Sequence, residues 1–175
     1  MTNKEINFSE YVITSLEKKH NKNDFSCGVD ALDQYLKTQA SQDIKKNVAV
    51  TYVLTPRDSE LIMGYYTLSS IGIFPGELPE ELVKRLPRYP VLPGVLLGRL
   101  ARAKKFRGKD IGLYLLMDAL KRSLAVANQI GIVAVIVDAK DEKAVAFYQD
   151  YGFMAFPDND RRLFLPLSTI KKLDL

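Results

Sequence analysis

Apolar and polar residues alternate along the chain with two periods, and each switch between them marks an element. Residues 11–16 read as a first strand, followed by a polar loop over residues 17–24 with the turn-prone run His-Asn-Lys-Asn-Asp. Val29, Leu32, Leu36, Ala40 and Ile44 then recur at helical spacing, an amphipathic stripe with a break near Thr38. Two β-rich runs, residues 48–54 and 61–69, flank the turn signal Thr-Pro-Arg-Asp-Ser and read as an antiparallel hairpin. Residues 74–93 hold five prolines around a short helix candidate at 79–85, which predicts an irregular excursion beside the sheet, a natural substrate lip.

A strand candidate over residues 95–103 leads into the turn RGKDIG. From there Ile111, Leu115, Leu116, Ala119, Leu120 and Leu124 predict a long helix. Residues 132–139, IVAVIVDA, form a nearly unbroken apolar run, as expected for a strand covered on both faces. Residues 141–150 read as a capped helix closed by Gly152, and residues 153–156 and 162–165 flank Pro-Asp-Asn-Asp as a final hairpin. The pattern is that of an α/β (α+β) protein, a central sheet with helices on both faces, in one domain spanning residues 1–175.

Composition narrows the class. With 47% hydrophobic and 26% charged residues over 175 positions, the chain can bury a full core. One cysteine excludes an internal disulfide, and one histidine beside it leaves no basis for a Cys/His metal site. The first ten residues hold no apolar signal core and no stretch is long enough to span a bilayer, so a cytoplasmic protein without a membrane partner is expected. The net charge of +4 permits a polyanionic partner without requiring one.

Candidate chemistry centres on the RGKDIG turn. Unpaired N–H groups at a helix start, backed by the positive end of the helix dipole, bind anions, and Lys104, Lys105, Arg107 and Lys109 add positive charge around them. Neither GxxxxGK[ST] nor GxGxxG is present. His20 is expected as a solvated loop residue, and Cys27, without a nearby base, as a structural one.

The turn resembles the [QR]xxGx[GA] motif of the GNAT acetyltransferases, with Arg107 and Gly112 at the outer positions and Asp110 where that family has its middle glycine. The segment AFYQDYGF, residues 146–153, is similar to the late helix of that fold. CGVDALDQYL, GYYTLS, LGRLA and FYQDYGF together resemble the toxin-type acetyltransferases of toxin–antitoxin pairs and their non-toxic relatives. The resemblance implies a GNAT fold with a mixed, mostly antiparallel sheet and an acetyl-CoA-dependent N-acetyltransferase without a metal. It implies that backbone groups at Leu100, Ala101 and Arg102 meet the pantetheine arm, although Arg102-Ala103 departs from the Val-Asp of those toxins. It further implies that Arg107, Gly108, Lys109, Asp110, Ile111 and Gly112 cradle the pyrophosphate. The partners it implies are acetyl-CoA, aminoacyl-tRNA, a ribbon-helix-helix antitoxin and a second copy of the chain.

Tyr148 would then protonate the leaving thiolate, since a phenol of pKa about 10 keeps its proton where a thiol of about 8.5 begins to lose it. The other reading of Tyr148 is a core aromatic near its helix end, although neighbouring Phe147 is the more natural core residue. The sequence offers no evident general base. Deprotonating a lysine at neutral pH costs about 4.6 kcal/mol and an α-amine only about 1 kcal/mol, so the chain suits α-amines. Paired cations at residues 18–19, 45–46, 85 and 88, 161–162 and 171–172 are candidate phosphate contacts. Three functions stay open: acetylation of aminoacyl-tRNA, acetylation of a small metabolite amine or protein N-terminus, and a non-catalytic CoA- or partner-binding module.

Overall fold

The computed structural model describes residues 8–175; residues 1–7, in which no apolar signal core is expected, lie outside the described residues. Seven strands form one sheet in the order β1-β2-β3-β4-β5-β7-β6. They are β1 (Tyr11–Ser15), β2 (Val50–Pro56), β3 (Gly64–Ile73), β4 (Leu92–Arg102), β5 (Ala134–Asp138), β6 (Met154–Phe156) and β7 (Asn159–Pro166). The helices are α1 (Asp30–Gln34), α2 (Ala40–Lys45), α3 (Glu80–Val83), α4 (Ile111–Ala127), α5 (Glu142–Asp150) and α6 (Leu167–Ile170). Pairing is mixed: β4 runs parallel to β5, while β1 with β2, β5 with β7 and β6 with β7 are antiparallel. The chain divides into two compact units, one running up to Thr67 and including residues 99–118, the other made of Leu68–Gly98 and Ala119–Leu175.

In the first unit, alternation along β3 sets the layers. A side chain at Gly64 would meet Leu115 and Ile111 of α4, and the Tyr66 hydroxyl donates to Asp118 of α4 at 2.6 Å. Tyr65, between them, faces the other way, packs on Phe25 and Tyr35, and donates to the Leu32 carbonyl at 2.7 Å. Helices therefore cover both faces, as the sequence predicts. The expected break near Thr38 is a π-helical segment, Tyr35–Gln39, that joins α1 to α2 without interrupting the chain direction. Inside it the Thr38 hydroxyl donates back to the Gln34 carbonyl at 2.7 Å.

In the second unit Ile73, Leu78, Leu92, Ala134, Ile136, Phe156 and Phe164 form one buried cluster, with Leu82, Val83 and Leu86 packed against it. Strand β5 is buried along residues 134–137, matching its unbroken apolar run. Strand β4 begins three residues earlier than its pattern predicts, because Pro93 reads as loop yet its carbonyl accepts from Val133 N–H at 2.9 Å.

Candidate active site

After β4 the chain makes a 3-10 turn at Lys104–Phe106, and Arg107 is extended. Gly108 (φ 74) and Asp110 (φ 52) then both enter the left-handed region. Tyr114 N–H donates to the Asp110 carbonyl at 3.0 Å, so α4 starts from Asp110 and its first N–H groups have no partner within the helix. No carboxylate lies in the first turn of α4, and Lys104, Lys105, Arg107, Gly108, Lys109 and Asp110 are exposed. The Lys105 and Lys109 ammonium groups sit 5.7 and 5.5 Å from the Phe106 ring centre, which draws both cations to the turn. Ile111 is buried and Gly112 half-buried, anchoring the helix behind the exposed turn.

The left-handed φ of Asp110 accounts for the departure from the glycine pattern. The position demands a positive φ, which glycine meets without strain and which aspartate meets better than most other residues. Its carboxylate takes no hydrogen bond from any described residue.

Upstream, the parallel register between β4 and β5 ends at Leu97 with Val137, so residues 98–102 of β4 continue without a β5 partner. Ala101 is buried and Leu100 half-buried. The Nε of Arg102 is buried with no hydrogen-bond partner among the described residues, a donor left for a ligand acceptor.

Tyr148 is held by both ends of its helix. The Asp141 carboxylate caps α5 by accepting from Ala144 N–H at 2.8 Å. At the other end Phe153 N–H donates to the Tyr148 carbonyl (3.2 Å) and Gly152 N–H to the Gln149 carbonyl (3.0 Å), with Gly152 at φ 93. This is a Schellman motif, and its apolar contact is the edge-on packing of Tyr148 and Phe153, ring centres 5.4 Å apart. Tyr148 is 6% exposed, and burial pushes its phenol above the ordinary tyrosine range, so the proton stays on throughout the physiological range. Among the described residues nothing hydrogen-bonds its hydroxyl. Phe147 is only half-buried, reversing the expectation that it, rather than Tyr148, is the core residue. Tyr151 closes the helix and is half-buried.

Other expectations are corrected. His20 is buried, not solvated: its Nδ1 accepts from Glu17 N–H at 2.9 Å, and burial lowers its pKa. It lines a polar cavity of about 440 Å³ with Thr14, Thr55 and Arg57. Among the candidate phosphate contacts, Arg162 is engaged by Asp138 (2.8 and 3.0 Å), whereas Lys45, Lys46, Arg85 and Arg88 are exposed. Cys27 serves the loop before α1, its N–H donating to the Asp33 carboxylate at 2.9 Å.

The GNAT acetyltransferase domain family matches residues 94–165, from β4 through the turn and α5 to β7. A probable toxin TacT of Sinorhizobium fredii is 32% identical over 162 residues, covering 89% of this chain and 90% of its own. The chain belongs to the toxin-type GNAT acetyltransferases. A tRNA-acetylating toxin of Mycobacterium tuberculosis is 33% identical over 149 residues, with coverage of 85% and 87%. Among solved structures, AtaT complexed with acetyl-methionyl-tRNA superimposes with a TM-score of 0.85 at 29% identity, covering 92% of this chain and 97% of AtaT. AtaT has also been solved with its antitoxin AtaR and with acetyl-CoA. As a toxin-type GNAT acetyltransferase, the chain has the fold class and the acyl-transfer chemistry that its motifs imply. Among the described residues no helix is long and apolar enough to cross a membrane, and no group of His, Cys, Asp and Glu could hold a metal.

Proposed function

We propose that this acetyltransferase moves an acetyl group from acetyl-CoA to the α-amine of aminoacyl-tRNA, as one domain spanning residues 1–175, in the cytoplasm. The observation that carries the acyl-transfer reading is the exposed basic turn that opens α4 through two left-handed residues, directly after the part of β4 that β5 leaves unpaired. The N–H groups of Ile111 and Gly112, with Arg107, Gly108, Lys109 and the Asp110 backbone, would hold the pyrophosphate; Leu100, Ala101 and the orphan donor of Arg102 would hold the amide-bearing arm. Acetyl-CoA supplies an activated acyl group on a thiol leaving group. Tyr148 keeps a proton on a hydroxyl that no described residue engages, and so can donate it as thiolate charge develops.

The acceptor follows from the amine. The chain offers no evident base for a lysine side chain, while the α-amine of an aminoacyl ester needs little or no deprotonation at neutral pH. Two relatives above 30% identity are a tRNA-acetylating toxin and a probable toxin, which supports charged tRNA as the acceptor. AtaT, solved with its antitoxin AtaR, supports an antitoxin as the neutralising partner, which we read as a ribbon-helix-helix protein. The direct test is to incubate purified protein with labelled acetyl-CoA and a pool of charged tRNAs, then digest the RNA and identify the acylated adenosine by mass. N-acetyl-aminoacyl-adenosine is expected. Label found only on free amino acids or peptides would move the assignment to a small-amine acetyltransferase.

A further inference from the structure

The LGRLA segment contains a side chain that the site described above does not use. Along β4, Arg99 lies on the same face as Ala101, which belongs to the buried cluster that includes Tyr35 and Tyr65. The Arg99 guanidinium carbon sits 3.4 Å above the centre of the Tyr35 ring. That is van der Waals thickness, so the planar guanidinium lies flat on the ring and its five N–H donors radiate outward from the stack.

The platform under it is fixed. The Tyr35 hydroxyl donates to the Asp43 carboxylate at 2.7 Å, and Gln39 Nε2 donates to the same carboxylate at 2.9 Å. These bonds, with a smaller contribution from the nearby Arg99 charge, hold Asp43 below its ordinary range, while burial, and then the bond to Asp43, outweigh Arg99 and push the Tyr35 phenol up to about 12. The Tyr35 ring also stacks on Tyr65, ring centres 6.5 Å apart and planes within 15°. A π-helical turn is what brings Tyr35, Gln39 and Asp43 into this arrangement. No described residue accepts a hydrogen bond from Arg99, and no carboxylate lies within ion-pair distance of it. A permanent cation, half-buried and pre-oriented, is thereby left with its full set of donors.

We propose that Arg99 binds a phosphodiester of the nucleic acid that carries the acceptor amine, making it a specificity-determining residue of the reaction. The proposal rests on the aminoacyl-tRNA reading above. In an aminoacyl ester the carboxyl group is already esterified, so the nearest anions of such an acceptor are the phosphodiesters of its terminal nucleotides. A flat guanidinium with free in-plane donors matches a phosphate oxygen pair. A free amino acid presents its own carboxylate instead and gains no phosphate contact.

The test combines tRNA binding by fluorescence anisotropy with steady-state kinetics, for the full chain and for Arg99→Gln and Arg99→Lys. Arg99→Gln should raise the Kd and KM for charged tRNA about tenfold to a hundredfold, the range for losing a charge-assisted contact. It should also lower the log–log salt slope by about one while leaving acetyl-CoA affinity unchanged. Arg99→Lys keeps a stem over Tyr35 and the charge, so it should keep the slope but recover little of the affinity; it also serves if Arg99→Gln does not fold. Wild-type KM and salt slope in folded Arg99→Gln, with charged tRNA still acetylated, would overturn this proposal alone. A wild-type protein that neither binds nor acetylates charged tRNA would remove both the acceptor reading and this proposal.

Discussion

At the scale of single residues, the groups that hold the fold are distinct from those kept for a ligand. The Tyr148 hydroxyl has no hydrogen-bond partner among the described residues, so Tyr148→Phe should leave stability within about 0.5 kcal/mol of wild type, since the ring packing on Phe153 survives. The same change should lower kcat by about a hundredfold or more with acetyl-CoA affinity retained, read from calorimetry beside steady-state kinetics. Full activity would remove Tyr148 as the proton donor. Asp110→Gly replaces a left-handed aspartate (φ 52) by the residue that adopts that backbone freely; acetyl-CoA affinity should stay equal or rise, with stability within about 1 kcal/mol. Loss of binding would mean that the carboxylate has a positive role. His20 gives a pH prediction. Burial holds its folded pKa below the ordinary histidine value of about 6.5, so below that pH the unfolded chain takes up the proton more readily than the folded one. The stability it contributes is complete above about pH 6.5 and declines as pH falls towards the folded value. His20→Asn, which retains an acceptor for Glu17 N–H, should lose less stability than wild type between pH 7.5 and 5.5 in denaturant titrations.

At the scale of elements, helix α5 was the most legible part of the chain and its companions the least. Asp141 and Gly152 are local signals, a cap and a positive-φ stop, and the structure uses both as the sequence predicts. Because the Schellman turn ties Tyr148 to Phe153, Gly152→Ala should cost about 1 kcal/mol and loosen the Tyr148 ring, reducing kcat more than the stability loss alone requires. Equal kcat in that variant would show that the turn does not position Tyr148. Which of Phe147 and Tyr148 goes inside could not be read from spacing, since adjacent positions differ by 100° and a nine-residue helix leaves the apolar face broad. The π-helical segment was legible only as a break near Thr38, because its cause is the packing of Tyr35 against Tyr65, thirty residues away in sequence. His20 was misread for the same reason: a polar loop pattern carries no information about the strands that bury it.

At the scale of the whole molecule, the order of motifs carried the family and the fold, while long-range pairing carried the chemistry that spacing could not show. The turn at residues 107–112 could be placed from its glycines and cations, but its left-handed Asp110, the end of β4–β5 pairing at Leu97 and the stacked Arg99 are tertiary facts. The net charge of +4 agrees with a polyanionic acceptor, and exposed Lys45, Lys46, Arg85 and Arg88 are free to add diffuse attraction to it. Reversing the charge at Lys45 and Lys46 should therefore raise KM for charged tRNA without changing acetyl-CoA affinity. The central claim, acetyl transfer to the α-amine of charged tRNA, is tested most directly by measuring kcat/KM across a salt series for charged tRNA beside the matching free amino acid. Turnover of charged tRNA should fall steeply from low to physiological salt, with little or no turnover of the free amino acid. Salt-insensitive acetylation of the free amino acid, with charged tRNA left unmodified, would contradict that claim.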